Sequence, residues 1–78
     1  MSNIHSPDYR ALLERLKVAR REAGLTQAQA AEALGVTQSA VSKSESGERR
    51  IDPIELKRFA ELYRKPITFF FDGGSCRA

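Results

Sequence analysis

The chain has 78 residues, and its 13 Lys and Arg against 10 Asp and Glu give a formal net charge of +3. This length permits one domain with a small core, and the mild positive charge permits a polyanionic partner without requiring one. A single cysteine excludes an internal disulfide, and no run approaches the roughly 20 apolar residues that cross a bilayer, so we expect a cytoplasmic protein without membrane association.

The first half of the chain predicts two helices. Ser6 and Pro7 are a typical helix start, because serine caps the first turn and proline fits the first helical position. Apolar residues then recur every three or four positions as far as Ala23, and Gly24 predicts the end. A second, alanine-rich helix is expected from Thr26, where Thr26 and Gln29 have the spacing of a capping box, to Leu34.

The second half predicts two more helices and a short apolar segment. Thr37 is expected to cap a helix that ends near Ser44 or Glu45, and Asp52-Pro53 to begin another. Pro66 then breaks the chain before a fifth turn or helix over 67–71. Together these elements predict a compact, all-α, five-helix domain over 7–71, and we expect disordered tails at 1–6 and 72–78.

The junction between the second and third helices is the most informative feature. A helix that enters a DNA groove must project from the body with its polar face bare, which requires a tight junction to the preceding helix. Gly35 permits a positive φ, Val36 is expected to fill the corner, and Thr37 restarts the helix. We therefore predict a helix-turn-helix unit, with small Ala31 and buried Val41 at the crossing.

These residues carry a family resemblance. The segments Arg20 to Gln27, Leu34 to Lys43 and Gly47 to Arg50 resemble the helix-turn-helix regulators related to the lambda and 434 phage repressors, the XRE family. The resemblance covers about residues 10–63. It implies a five-helix fold with the helix-turn-helix at helices 2 and 3, no cofactor, and binding as a symmetric homodimer to a double-stranded, palindromic DNA operator. We expect a repressor rather than an activator, since the sequence shows no effector-binding or polymerase-contacting domain.

The resemblance also implies roles for individual residues. Base contacts are expected from the third helix, with Gln38 pairing with adenine, and the set is Gln38, Ser39, Ser42 and Lys43. Phosphate contacts are expected from Gln27, Thr37, Arg21, Arg49 and Arg50. For Gln38 and Ser39 the alternative is simple solvation in the first turn. For Lys43 we favour phosphate contact over guanine readout, and for Arg21, Arg49 and Arg50 the alternative is again simple solvation. Arg20 and Glu45 correspond to the family's structural ion pair.

One position departs from the family pattern. Ser44 stands where the family usually has a large apolar or aromatic residue beneath the recognition helix. A serine there leaves less apolar volume, so the sequence predicts that Ser44→Ile raises stability.

The Phe-rich end of the chain suggests an interface. Each helical step rotates by about 100°, so Phe69, Phe70 and Phe71 cannot all face one core. An exposed aromatic near a chain end suggests association. We expect a homodimer interface formed by Tyr63, Ile67, Phe69, Phe70 and Phe71.

Enzymatic and metal-binding functions are not expected. His5, the only histidine, has no cysteine or carboxylate cluster around it, and no nucleophile–base pair can be assembled. The alternative to a DNA-binding regulator is a protein-binding adaptor, such as an antitoxin that covers a toxin through its Phe-rich end, or a controller of a restriction-modification system.

Overall fold

A computed structural model describes residues 6–71, and every regular element in this range is helical. Four α-helices are followed by one 3₁₀ helix, and their bounds are α1 Pro7–Glu22, α2 Gln27–Leu34, α3 Gln38–Ser46, α4 Pro53–Tyr63 and η1 Ile67–Phe71. The predicted all-α class is confirmed over this range. The predicted count of five helices is corrected to four α-helices and a 3₁₀ helix.

The 3₁₀ geometry of η1 is defined by its hydrogen bonding. The element begins directly after Pro66, and Phe69 N donates to Pro66 O at 2.9 Å, an i→i+3 bond. Of the predicted tails at 1–6 and 72–78, residues 1–5 and 72–78 lie outside the described residues. Ser6 caps α1 with its side chain, as the sequence predicts.

Local capping chemistry sets where the helices begin. Ser6 Oγ accepts from Tyr9 N at 3.1 Å, the predicted capping box at Thr26 with Gln29 is present, and a second one is formed at Asp52 with Glu55. These side chains satisfy backbone N–H groups that have no partner within the first helical turn. The third helix extends to Ser46, one residue or two beyond the expected end.

The core lies where α1, α2, α4 and η1 meet. Its fully or nearly fully buried side chains include Leu16, Phe59, Tyr63 and Phe70. Tyr63 is 2% exposed and Phe70 is 1% exposed, so these two cannot form the predicted dimer interface. The reason is that α4 and η1 turn these aromatic faces onto α1, which leaves Ile67 and Phe71 exposed.

A charged clamp holds η1 against α1. Arg15 Nε donates to Phe69 O at 2.9 Å, and the same guanidinium lies 4.0 Å from the centroid of the Phe69 ring. Lys65 Nζ lies 4.8 Å from that centroid. Phe69 is half-buried, and its ring lies close to two cations. These cation–π contacts stabilise an aromatic ring that the core does not fully enclose. No helix within 6–71 has both the length and the apolar character needed to span a membrane.

Candidate nucleic-acid interface

The turn between α2 and α3 has the left-handed glycine that the sequence predicts. Gly35 has φ 75° and ψ 29°, and Val36 N donates to Ala31 O at 3.0 Å, which closes the end of α2. Thr37 Oγ1 then accepts from Ala40 N at 3.0 Å and starts α3. Val36 is 43% exposed, so it does not fill the corner as expected; the buried residues at the crossing are Ala31 and Val41.

The first turns of α3 present a polar face to solvent. Gln38, Ser39 and Lys43 are exposed and Ser42 is half-buried. The pairs 38/42 and 39/43 are each four residues apart, so the four side chains share one side of the helix. Their side chains make no hydrogen bond to another residue of 6–71, which leaves their donors and acceptors available to an external partner.

A buried ion pair between Arg20 and Glu45 holds the last turn of α3, at the end of the helix away from Gln38. Arg20 Nε donates to Glu45 Oε2 at 2.6 Å and Nη2 to Oε1 at 3.2 Å, and the two side chains are 13% and 4% exposed. The hydrogen bond to Glu45 raises the pKa of Arg20 against the opposing effect of burial. The end of α1 is thereby fixed to the last turn of α3.

The same carboxylate also holds the start of α2. Gln27 Nε2 donates to Glu45 Oε1 at 3.0 Å. One side-chain N–H of Gln27 is therefore committed within the protein, which narrows the predicted phosphate contact to its remaining amide groups and its backbone N–H at the start of α2.

A polar depression of about 220 Å³ lies beside this network and reaches α3. Its walls combine cationic and neutral polar side chains, and its lining is Lys17, Arg20, Arg21, Gln27, Ser42, Glu45 and Ser46. The structure thus brings two predicted phosphate contacts, Arg21 and Gln27, next to a predicted base contact, Ser42. Sequence reasoning missed Lys17, although its spacing from Arg20 and Arg21 places all three on one side of α1.

Comparison with known proteins assigns this arrangement to a family. A family model described as helix-turn-helix matches residues 16–70, which covers all of α2, α3 and α4. The chain belongs to this XRE-type helix-turn-helix family. The helix-turn-helix unit of this chain is formed by α2 and α3, and Gly35 lies in the turn between them.

Two curated bacterial relatives support the assignment. A protein of Sinorhizobium medicae and one of Rhizobium meliloti, both named uncharacterized HTH-type transcriptional regulators, are each 29% identical over 58 residues. The match covers 74% of this chain and 42% of each relative, so the helix-turn-helix chain spans less than half the length of the relatives it matches.

The two adjacent arginines after α3 have different environments. Arg49 bonds within the domain, to Ser44 and Glu55, and the Glu55 hydrogen bond raises its pKa. Three polar atoms of α3 and α4 accept from its guanidinium, and the side chain is 43% exposed, so its phosphate contact stays a prediction. Arg50 is exposed and borders a separate groove of about 490 Å³ beside Tyr9, Leu12 and Phe71.

Proposed function

We propose that this helix-turn-helix protein is a sequence-specific regulator that binds double-stranded DNA through α3 and represses transcription by occupying its operator. The observation that carries the proposal is the bare polar face at the start of α3, formed by Gln38, Ser39, Ser42 and Lys43. The buried ion pair between Arg20 and Glu45 holds the helix that carries them, and the polar depression lies beside them. Family membership favours this function over a protein-binding adaptor.

Each side chain has a defined task in this proposal. Gln38 offers a donor and an acceptor that match adenine N7 and N6 in the major groove. Ser39 and Ser42 approach neighbouring base edges, while Lys43, Arg21 and Lys17 neutralise phosphates beside the groove. Thr37 and the start of α2 add neutral contacts from a hydroxyl and a backbone N–H.

A homodimer on a palindromic operator completes the proposal. Ile67 is 42% exposed and Phe71 is 60% exposed, and both lie on η1. Pairing of η1 with its copy buries these apolar side chains and presents two α3 helices to half-sites about one helical turn apart. Phe71→Ser is expected to weaken dimerisation in sedimentation equilibrium without unfolding the domain, since Phe71 lies outside the core.

Selection of bound sites from random DNA tests the function directly. We expect a symmetric site, and binding that weakens steeply with salt. If Lys17, Arg21, Lys43 and Arg50 each neutralise one phosphate in both subunits, the slope of log K against log salt is roughly −7. A flat salt response or the absence of any enriched sequence contradicts the proposal.

Replacement of Gln38 tests the base contact. Gln38→Ala is expected to cost about 1–3 kcal/mol on the selected site and little on random DNA. Lys57→Ala, on the exposed side of α4, is the control and should change neither affinity. An equal loss on both DNAs would show that Gln38 positions the protein without reading a base.

A further inference from the structure

Ser44 replaces apolar packing beneath α3 with a polar contact. It is 1% exposed, and its hydroxyl oxygen accepts from Arg49 Nη1 at 3.2 Å. A small cavity of about 30 Å³ lies on the same side of the helix, beside Ala40 and Phe59. The guanidinium of Arg49 therefore occupies the space next to the buried serine.

The same guanidinium also binds α4. Arg49 Nη1 donates to Glu55 Oε1 at 2.9 Å, and Nη2 makes a close contact with Glu55 Oε2. This two-bond arrangement fixes the plane of the arginine as well as its distance from the carboxylate. Glu55 is itself held in the first turn of α4, where it completes the capping box with Asp52.

The backbone also directs Arg49 towards α3. Gly47 ends the helix with φ 89°, and the chain folds back so that Arg49 N donates to Lys43 O at 3.2 Å. Backbone and side chain of Arg49 thus contact the last turns of α3 at two separate points. Neither contact is made by Arg50, the next residue.

We propose that Arg49 is a positioning residue that joins the end of α3 to the start of α4 through Ser44 and Glu55, and so sets the orientation of the recognition helix. The consequence for DNA binding rests on the proposed function. Arg50 then supplies the phosphate contact of this loop, because its charge has no carboxylate partner within residues 6–71. Adjacent arginines in one loop therefore have separate tasks.

The salt dependence of binding distinguishes the two tasks. Arg49→Gln is expected to weaken binding to the selected site about tenfold, as for the loss of one hydrogen bond to a charged group, while leaving the log–log salt slope unchanged. Arg50→Gln, the matched control, should reduce the magnitude of the slope by about 2 in a dimer. Equal slope changes in both variants would overturn the assignment, as would unchanged affinity in Arg49→Gln.

A conservative variant separates geometry from charge. Arg49→Lys retains the positive charge, but an ammonium group cannot bond both Glu55 oxygens and Ser44 in one plane. We expect it to bind DNA as weakly as Arg49→Gln. Recovery of wild-type affinity in Arg49→Lys would show that charge alone matters and would contradict the proposal.

Hydrogen exchange of the free protein tests the positioning role of Arg49 without DNA. Amide protection at residues 42–46 is expected to fall in Arg49→Gln and to stay unchanged in Arg50→Gln. Unchanged protection in Arg49→Gln overturns this positioning role whatever the DNA result. If the wild-type protein binds no DNA while the protection change is present, the proposed function fails and the structural role of Arg49 stands.

Discussion

Arg20 and Glu45, which are 25 positions apart in sequence, form a two-point ion pair between α1 and α3, with Nε 2.6 Å from Oε2 and Nη2 3.2 Å from Oε1. Arg20 also donates through Nη1 to Leu25 O at 2.9 Å, and Glu45 also accepts from Gln27. One pair of side chains therefore connects α1, the loop that follows it, α2 and α3.

Glu45→Gln is expected to destabilise the domain by about 3 kcal/mol, because it leaves the mostly buried Arg20 without its counter-charge. Urea unfolding measures this loss. The matched control is Glu22→Gln, whose ion pair with Lys65 is more exposed and whose loss should cost less than about 1 kcal/mol. Similar values for the two variants would show that burial of the Arg20 pair has no special weight.

The buried hydroxyl of Tyr63 has no hydrogen-bond partner among the described residues. Tyr63→Phe is therefore expected to leave stability unchanged or raise it by up to about 1 kcal/mol, because it removes an unsatisfied polar group. Tyr9→Phe is the matched control, since Tyr9 Oη accepts from Ile51 N at 3.0 Å, and it should cost about 1 kcal/mol. A larger loss in Tyr63→Phe than in Tyr9→Phe in thermal unfolding would contradict this reasoning.

Alkaline pH is expected to destabilise the wild-type protein through the same tyrosine. Burial, with a smaller contribution from the Glu45 carboxylate, raises the pKa of Tyr63 to about 12. Because the unfolded chain ionises this phenol near pH 10 and the folded chain does not, stability is complete below pH 10 and falls as pH rises towards 12.

The difference between wild type and Tyr63→Phe isolates this effect from other titrating groups. The variant should gain about 1 kcal/mol relative to wild type between pH 8 and pH 11, as measured by urea unfolding at each pH. A difference that stays constant over this range would mean that Tyr63 ionises as readily in the folded protein as in the unfolded chain.

The structure lowers the gain in stability that is expected from Ser44→Ile. Isoleucine adds two heavy atoms beside a cavity of about 30 Å³, but it removes the hydroxyl that accepts from Arg49. Loss of one such hydrogen bond costs about 1 kcal/mol, which offsets the gain from filling the cavity. Ser44→Ala, which removes the acceptor without adding volume, separates the two effects in thermal unfolding, and unchanged stability in Ser44→Ala would show that the hydrogen bond contributes nothing.

Gly35→Ala is expected to cost about 1 kcal/mol, since a Cβ at φ 75° strains the backbone although it would meet no heavy atom within 4 Å. Gly24→Ala is the matched control: it has φ 77°, also with nothing within 4 Å, and should lose a similar amount. Gly35→Asn should lose less, because asparagine tolerates the left-handed conformation. A loss of several kcal/mol in urea unfolding for Gly35→Ala alone would indicate steric contact and not backbone strain.

The helices and the turn could be predicted from the sequence because their causes are local. Thr26 with Gln29 and Asp52 with Glu55 encode helix starts within four residues, and Gly35 encodes the turn by itself. The family could also be predicted from the residues, and the family match to residues 16–70 confirms it. The DNA-contacting face of α3, which the resemblance implies, stays a prediction.

The side-chain partners could not be predicted in the same way. Arg49 has a carboxylate six residues away and a serine five residues away, but its choice between them and an external phosphate depends on how the loop folds back on α3. The contact between Arg15 and Phe69 joins residues 54 positions apart. Burial of Tyr63 and Phe70 depends on that same long-range docking, which is why both were expected at a surface.

The alanine-rich composition of α2 has a consequence for recognition. Its fully buried side chains, Ala30 and Ala31, are methyl groups that have no rotamers, and Val41 opposite them on α3 has one strongly preferred χ1 in a helix. The packed layer beneath α3 therefore has almost no side-chain conformational freedom to lose when a partner binds. Little entropy should be lost in this layer on complex formation, so the ordering cost falls on Gln38 and Lys43, the long flexible side chains at the surface.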